Sequence, residues 1–451
     1  MWEQCCTKGN SMKKIFILLG IVCTSASAQK IKFSFTDELQ AAVFSLSMVM
    51  MHDVVNPPAA SRYFEYCMLG PHAIASANNS NIKPASVFIK TFPEIKITEN
   101  TKNYNHELAI IYCILETGKQ MLPSGYQLKD QEDKLVAKLQ KAKIPQAIID
   151  QSIAVAVEVT TQIVNYSKKD NYNKLSGLLR YTPSTKPGSW FPTPPQYMEA
   201  VEPHWNIIRT MVVDSAQQFK PLPLTPYSTD TASAFFKLAK EVYTISKDQV
   251  PEHILMANFW DCNPFFLATS GHMALGFKKI SPGAHWMNIG CIVAKKANLH
   301  LDQAVEMLSI EAAAIMDAFI CCWEEKFKSN RIRPETFINK HMDVRWQPIL
   351  QTPPFPEYAS GHSVISSAAA KVLTYLLGDG FAYTDDTEML FDIPARSFRS
   401  FNDAAEEAAI SRLYGGIHYR DGVYCGQLQG NAIGDFIVEK IKTAGIVPFK
   451  H

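Results

Sequence analysis

Periodicity restricts this chain more than any other feature. From Leu301 to Lys328 apolar residues recur at spacings of three and four, the repeat of a helix that buries one face. Asp37–Met51, Val136–Val164 and Thr231–Thr244 carry the same repeat, whereas the alternation expected of strands is scarce. The reading is an all-α fold of helical bundles. One stretch breaks the pattern, from Tyr181 to Tyr227, dense in proline and carrying Trp190 and Trp205. Two indoles are costly to leave in water, so this stretch is expected to pack along the surface as a strap. It joins two helical halves, 29–227 and 228–451.

With 451 residues, 47% hydrophobic and 19% charged, the chain can bury a large core. Lys plus Arg (44) balance Asp plus Glu (43), so the net charge of +1 gives no reason to propose nucleic acid or an anionic membrane as partner. A strong positive field must be local. Near the start, Met12-Lys13-Lys14, the apolar run Ile15–Val22 and Ala26-Ser27-Ala28 read as a signal peptide cleaved after Ala28, with Met1–Ser11 upstream of the true start. A periplasmic or secreted protein follows. No later stretch reaches the ~18 apolar residues of a membrane span. Of ten cysteines, seven remain after processing; an odd count with no C-x-x-C pair argues against a zinc site or a dense disulfide framework, and leaves one or two bridges possible.

Three short segments carry chemistry. In the first, Lys326 and Arg333 are seven residues apart, which in a continuous helix places both on one face, with Trp323 joining it. Pro334 puts Arg333 at the helix end, where its fork can reach sideways. In the second, Pro353, Pro354 and Pro356 forbid helix ahead of Ser360-Gly361-His362. Ser360 is a natural N-cap, Gly361 lets backbone approach a ligand, and a helix N-terminus with free N–H groups suits an anion. His362, in the first turn, can move a proton near neutral pH. In the third, Gly415-Gly416 breaks a helix between Arg412 and His418, so both can turn to one pocket; Arg420 is expected to face solvent or a carboxylate elsewhere. Together these groups suit a tetrahedral or trigonal-bipyramidal oxyanion.

The order Lys-x6-Arg-Pro, Ser-Gly-His, Ser-Arg-x5-His resembles the three signatures shared by vanadium haloperoxidases and type 2 phosphatidic acid phosphatases, over Trp323–Asp421. Val55–Arg62, the proline-rich strap and Phe259-Trp260-Asp261 are more diffusely similar to the longer bacterial haloperoxidases. The resemblance implies that His418 is the axial vanadate ligand, or the nucleophile of a phosphatase. It implies that Lys326, Arg333, Ser360, Gly361 and Arg412 hold the oxyanion, that His362 is the acid–base histidine, and that Trp323 and Phe355 line a halide side. Asp261 is implied as a carboxylate steadying Arg412. Two positions depart from the pattern: Ala359 stands where the family often has proline, and Asp421 falls three residues after His418 instead of four, still able to orient it.

Two functions follow from one such site. A haloperoxidase would use vanadate and hydrogen peroxide to oxidise a halide, iodide favoured, with an organic acceptor possible. A periplasmic acid phosphatase would hydrolyse phosphate monoesters through a phosphohistidine. Length, the lack of multiple membrane spans and the aromatic residues at the halide-side positions favour the first.

Overall fold

Prolines and capping residues decide where the helices begin and end. The structure, a computed structural model, describes residues 33–98, 103–270, 273–276 and 278–451; the signal-peptide reading at Met12–Ala28 lies outside them. Ahead of the proline-rich stretch come α1 (Phe35–His52), α2 (Pro57–Asn78), α3 (His106–Met121), α4 (Lys129–Lys141) and α5 (Gln146–Ser167). Asn56 caps α2 by accepting from the Ala59 N–H, with Pro57 and Pro58 in the first turn, where a missing N–H costs nothing. The single helix expected over Val136–Val164 is two helices. Pro145 has no N–H to give and disfavours helix at Ile144, so α4 stops at Lys141 and α5 restarts at Gln146. By length and composition alone, α5 could cross a membrane; it is the one such helix among the described residues, and it packs on α2 and α3 through Ile149, Val155, Val159 and Ile163.

After the strap come α6 (Ala234–Asp248), α7 (Pro251–Phe259), α8 (Pro282–Lys296), α9 (Leu301–Ser329), α10 (Pro334–His341), α11 (Gly361–Leu377), α12 (Phe401–Tyr414) and α13 (Arg420–Thr443). Strand is confined, among the described residues, to two antiparallel pairs: β1 (Leu267–Ser270) with β2 (Met273–Gly276), and β3 (Tyr383–Asp385) with β4 (Arg396–Phe398). Ser34–His451 make one compact unit. Its axis is α9, buried on nearly every side from Leu301 to Trp323 and packed against α2, α8, α11 and α13. The proline-rich stretch lies on this helix. Asp317 of α9 accepts from three successive backbone N–H groups, Met211, Val212 and Val213, at 2.7–2.8 Å, and Trp190 and Trp205 are fully buried.

Two contacts place the site. Helix α13 turns the glycine face Gly422, Gly426, Gly430, Gly434 toward α11 and the chain before it. A Cβ on Gly426 would lie 2.9 Å from the Ser360 carbonyl oxygen, and one on Gly434 would lie 2.6 Å from Lys371 Cβ, so the helices meet backbone to backbone. The second contact is an apolar cluster of Phe235, Val242, Phe337, Trp346, Leu413 and Tyr419, which locks α6, α10 and α12 around the turn that carries His418.

Candidate active site

Lys326 and Arg333 do reach one place, by a route different from the expected helical face. Asn330 adopts a left-handed conformation (φ 48°) and ends α9 at Ser329, since asparagine tolerates that region better than most residues. Arg331 then bridges Ser189 of the strap, and Arg333 is the extended residue before α10. Lys326 Nζ donates to the carbonyls of Pro356, Glu357 and Ala359 at 3.0, 3.1 and 2.6 Å, and so stitches α9 to the loop ahead of Ser360. Arg333 donates through Nε to the Phe355 carbonyl (2.9 Å) and through Nη1 to the Ile417 carbonyl (2.8 Å). Its Nη2 is buried without a partner.

Ser360 caps α11, its hydroxyl accepting from the Ser363 N–H. A Cβ on Gly361 would sit 3.6 Å from Trp323 and 3.9 Å from Lys326, ordinary contacts, so no protein atom fills the space beside it. Trp323 and Phe355 are buried with ring centroids 5.0 Å apart, and Lys326 Nζ lies 5.0 Å from the Phe355 ring. Both rings line a narrow cleft with Pro57, Cys262, Phe265, Gly361, His362, Arg412 and His418, with room of about 30 Å³ for a water-sized sphere.

The third segment turns as its glycines suggest. Helix α12 ends at Tyr414, Gly416 takes φ 79°, and α13 starts at Arg420. Arg412 Nη1 donates to the Trp260 carbonyl at 2.7 Å and its Nε is buried without a partner. Asp261 makes no hydrogen bond to Arg412. It lies 3.5 Å from Lys279 Nζ and acts on Arg412 only through space. Arg420 donates to Glu241 at the surface.

The carboxylate that orients His418 is one the sequence reading missed. Glu357 Oε1 is 2.7 Å from His418 Nδ1 and also accepts from the Tyr419 N–H at 3.2 Å. Asp421 pairs instead with Arg331, at 2.7 and 2.8 Å, and Arg331 in turn grips Glu357. Gly422 makes room: a Cβ there would collide with both Glu357 and Arg331. Glu357 sits two residues after Phe355 in a stretch read for its prolines, and no spacing rule links it to a histidine 61 residues on. With Nδ1–H given to Glu357, Nε2 of a neutral His418 carries the lone pair, and it accepts from Arg333 Nη1 at 3.1 Å. Burial, then the charges of Arg333, Lys326 and Arg412, push the His418 pKa well below the usual histidine value, which keeps the ring neutral. Burial and the charges of Arg412 and His418 do the same to His362, whose ring is tied to the Trp260 backbone and whose Nε2 has no partner.

The cations are held away from water at a cost. Burial lowers Lys326 to about 7 and Arg333 to about 9. A lysine of folded pKa about 7 and unfolded pKa about 10.5 is protonated more in the unfolded chain across that window, so stability rises as pH climbs through it and is lost as pH falls toward 7. Denaturant unfolding of the ligand-free chain should therefore give a higher free energy at pH 9 than at pH 7. Lys326→Met should flatten that rise, and an unchanged slope in the variant would remove Lys326 as its source.

Arg412, with its unpaired Nε, His362, with its unpaired Nε2, and His418 thus line one cleft with Gly361 at the start of α11, and Arg333, whose Nη2 is unpaired, reaches it through His418. The set fits an oxyanion with an axial nitrogen ligand.

Residues 306–444 match the family described as VCPO second helical-bundle domain. No curated protein matches the chain. Among solved structures, the first bacterial vanadium-dependent iodoperoxidase is similar at 42% identity and a TM-score of 0.84, over 91% of this chain and 97% of that one. Holo-type and apo-type bacterial vanadium-dependent chloroperoxidases share the fold at 14% identity, with TM-scores of 0.62 and 0.63; they cover 87% and 86% of this chain and 94% and 95% of their own.

Proposed function

The chain belongs to the vanadium-dependent haloperoxidases, and we propose that it oxidises iodide with hydrogen peroxide at the cleft between α9, α11 and α12. The observation that carries the reading is the set of buried nitrogens without partners, at the positions where the resemblance puts oxyanion ligands. Vanadate bound there supplies a Lewis-acidic centre that activates hydrogen peroxide toward halide. His418 Nε2 would hold the vanadate, presented by the hydrogen bond that ties Nδ1 to Glu357. Lys326, Arg333 and Arg412 would offset the charge of the bound anion, while Ser360 and the first amides of α11 would donate to it. Neutral His362 accepts a proton at Nε2 as peroxide enters and returns it as product leaves. Trp323 and Phe355 exclude water from the halide side. Support for iodide is the 42% identity to an iodoperoxidase.

For compartment, the support is in the sequence: the basic patch, apolar run and small-x-small site at 12–28 favour a periplasmic or secreted enzyme with no membrane span. Its substrates are small molecules.

The chain from Gln29 onward, stripped with chelator in phosphate-free buffer and reloaded with orthovanadate, should oxidise iodide with peroxide. That activity should need vanadate and fall with excess phosphate. Brisk phosphate-ester hydrolysis by the stripped chain, blocked by vanadate and accompanied by trace peroxidase activity, would make it a phosphatase instead.

A further inference from the structure

Behind the cleft wall, three potential metal ligands from distant parts of the chain face one point. Cys262, His285 of α8 and Glu388 are all buried, and Cys262 Sγ, His285 Nδ1 and a Glu388 carboxylate oxygen lie within 4.8 Å of one another. We propose that Cys262, His285 and Glu388 bind a zinc-class divalent cation beside the vanadate cleft, which Cys262 also lines.

Three observations carry this. His285 Nε2 is 2.8 Å from Asp385 Oδ2 and so carries a proton, which leaves Nδ1 to offer its lone pair to a metal once its own proton is displaced; a carboxylate behind an imidazole is the usual support of a metal-binding histidine. Glu388 is fully buried and neither of its oxygens has a hydrogen-bond donor, an expensive arrangement for a carboxylate unless a cation completes it. The spacing is that of a coordination shell. Bonds of about 2.3 Å to sulfur and about 2.0 Å to nitrogen or oxygen put tetrahedral ligand atoms about 3.3–3.6 Å apart. Here Sγ to Nδ1 is 3.4 Å and Nδ1 to the Glu388 oxygen is 3.5 Å. Mixed S, N and O donors with no redox partner suit zinc better than magnesium or calcium. The odd cysteine count and the lack of a C-x-x-C pair argued against zinc, and residues 262, 285 and 388 form no motif; β3 and the turn after it bring the third to the other two.

Such an ion would also anchor the segment that backs the vanadate site. Trp260 stacks on His285 at 4.7 Å, and its carbonyl holds Arg412. The test is metal content of the full chain, purified without chelator and passed through gel filtration, then metal-depleted and titrated with Co²⁺. About one zinc per chain, and a tetrahedral Co²⁺ spectrum with a thiolate charge-transfer band displaced by Zn²⁺, is the expected result. Cys262→Ser should lose that band while Cys291→Ser, a buried thiol elsewhere, keeps it. Should Cys262→Ser misfold, thiol alkylation of the native wild type gives the same answer, because bound metal should protect one cysteine that chelation exposes. Wild-type chain that is natively folded yet takes up neither zinc nor cobalt, or a charge-transfer band that survives Cys262→Ser, would overturn the site.

Discussion

His418→Ala should lose halide oxidation by ~10³-fold or more at saturating vanadate, with the fold intact. The argument is one of bonding. His418 Nε2 is a ring nitrogen kept neutral by burial and by Arg333, Lys326 and Arg412, and Glu357 fixes its direction through Nδ1; His362, the other neutral imidazole in the cleft, has no such carboxylate behind it and is tied to the Trp260 backbone. Removing the ring leaves Glu357 paired with Arg331 and with the Tyr419 N–H, so the loss to stability should stay within ~1–3 kcal/mol. Peroxide-dependent iodide oxidation, vanadate affinity by isothermal titration, and thermal unfolding check the three parts separately. Wild-type-like turnover by a folded, vanadate-loaded variant would sink the assignment of His418. Partial return of activity with added imidazole would locate the defect at the missing nitrogen.

How far the sequence alone reached can be judged residue by residue. It singled out the groups proposed to hold the anion, because each sits beside a local signal with a physical cause: Ser360 after a proline run, Gly416 between Arg412 and His418, Pro334 after Arg333. It went astray where an outcome depended on one backbone conformation or on a tertiary neighbour. The straight helix through Arg333 fails at Asn330, whose left-handed turn no periodicity records. The split at Pro145 was legible and was passed over because the apolar repeat continues across it. The glycine face of α13, at intervals of four, was a readable sign of close helix packing. Asp261 and Asp421 were linked to Arg412 and His418 through the family resemblance, yet each is held by a different cation, Lys279 and Arg331. The seven described cysteines are free and buried, so none forms the bridges left possible above.

The exchange of Asp421 for Glu357 gives the second large effect. Glu357→Gln should weaken vanadate binding by ~10–100-fold, the usual loss when the group that orients a ligand is changed, while Asp421→Asn should leave affinity within a few-fold of wild type. Glutamine keeps the shape and one acceptor oxygen but no charge, so it no longer selects the ring tautomer with hydrogen on Nδ1 and the lone pair on Nε2. Arg331 keeps Asp421 as its anion, which limits the damage to folding. Affinity alone would not separate orientation from general loosening, so the discriminating readout is ¹⁵N NMR of the imidazole. Wild type should show one tautomer, protonated at Nδ1; Glu357→Gln should show a mixture; Asp421→Asn should match wild type. If Asp421→Asn instead caused the larger loss of affinity and disturbed the tautomer, the orienting carboxylate would be the one after His418 in sequence, and the 2.7 Å contact from Glu357 would be packing without consequence for the ligand.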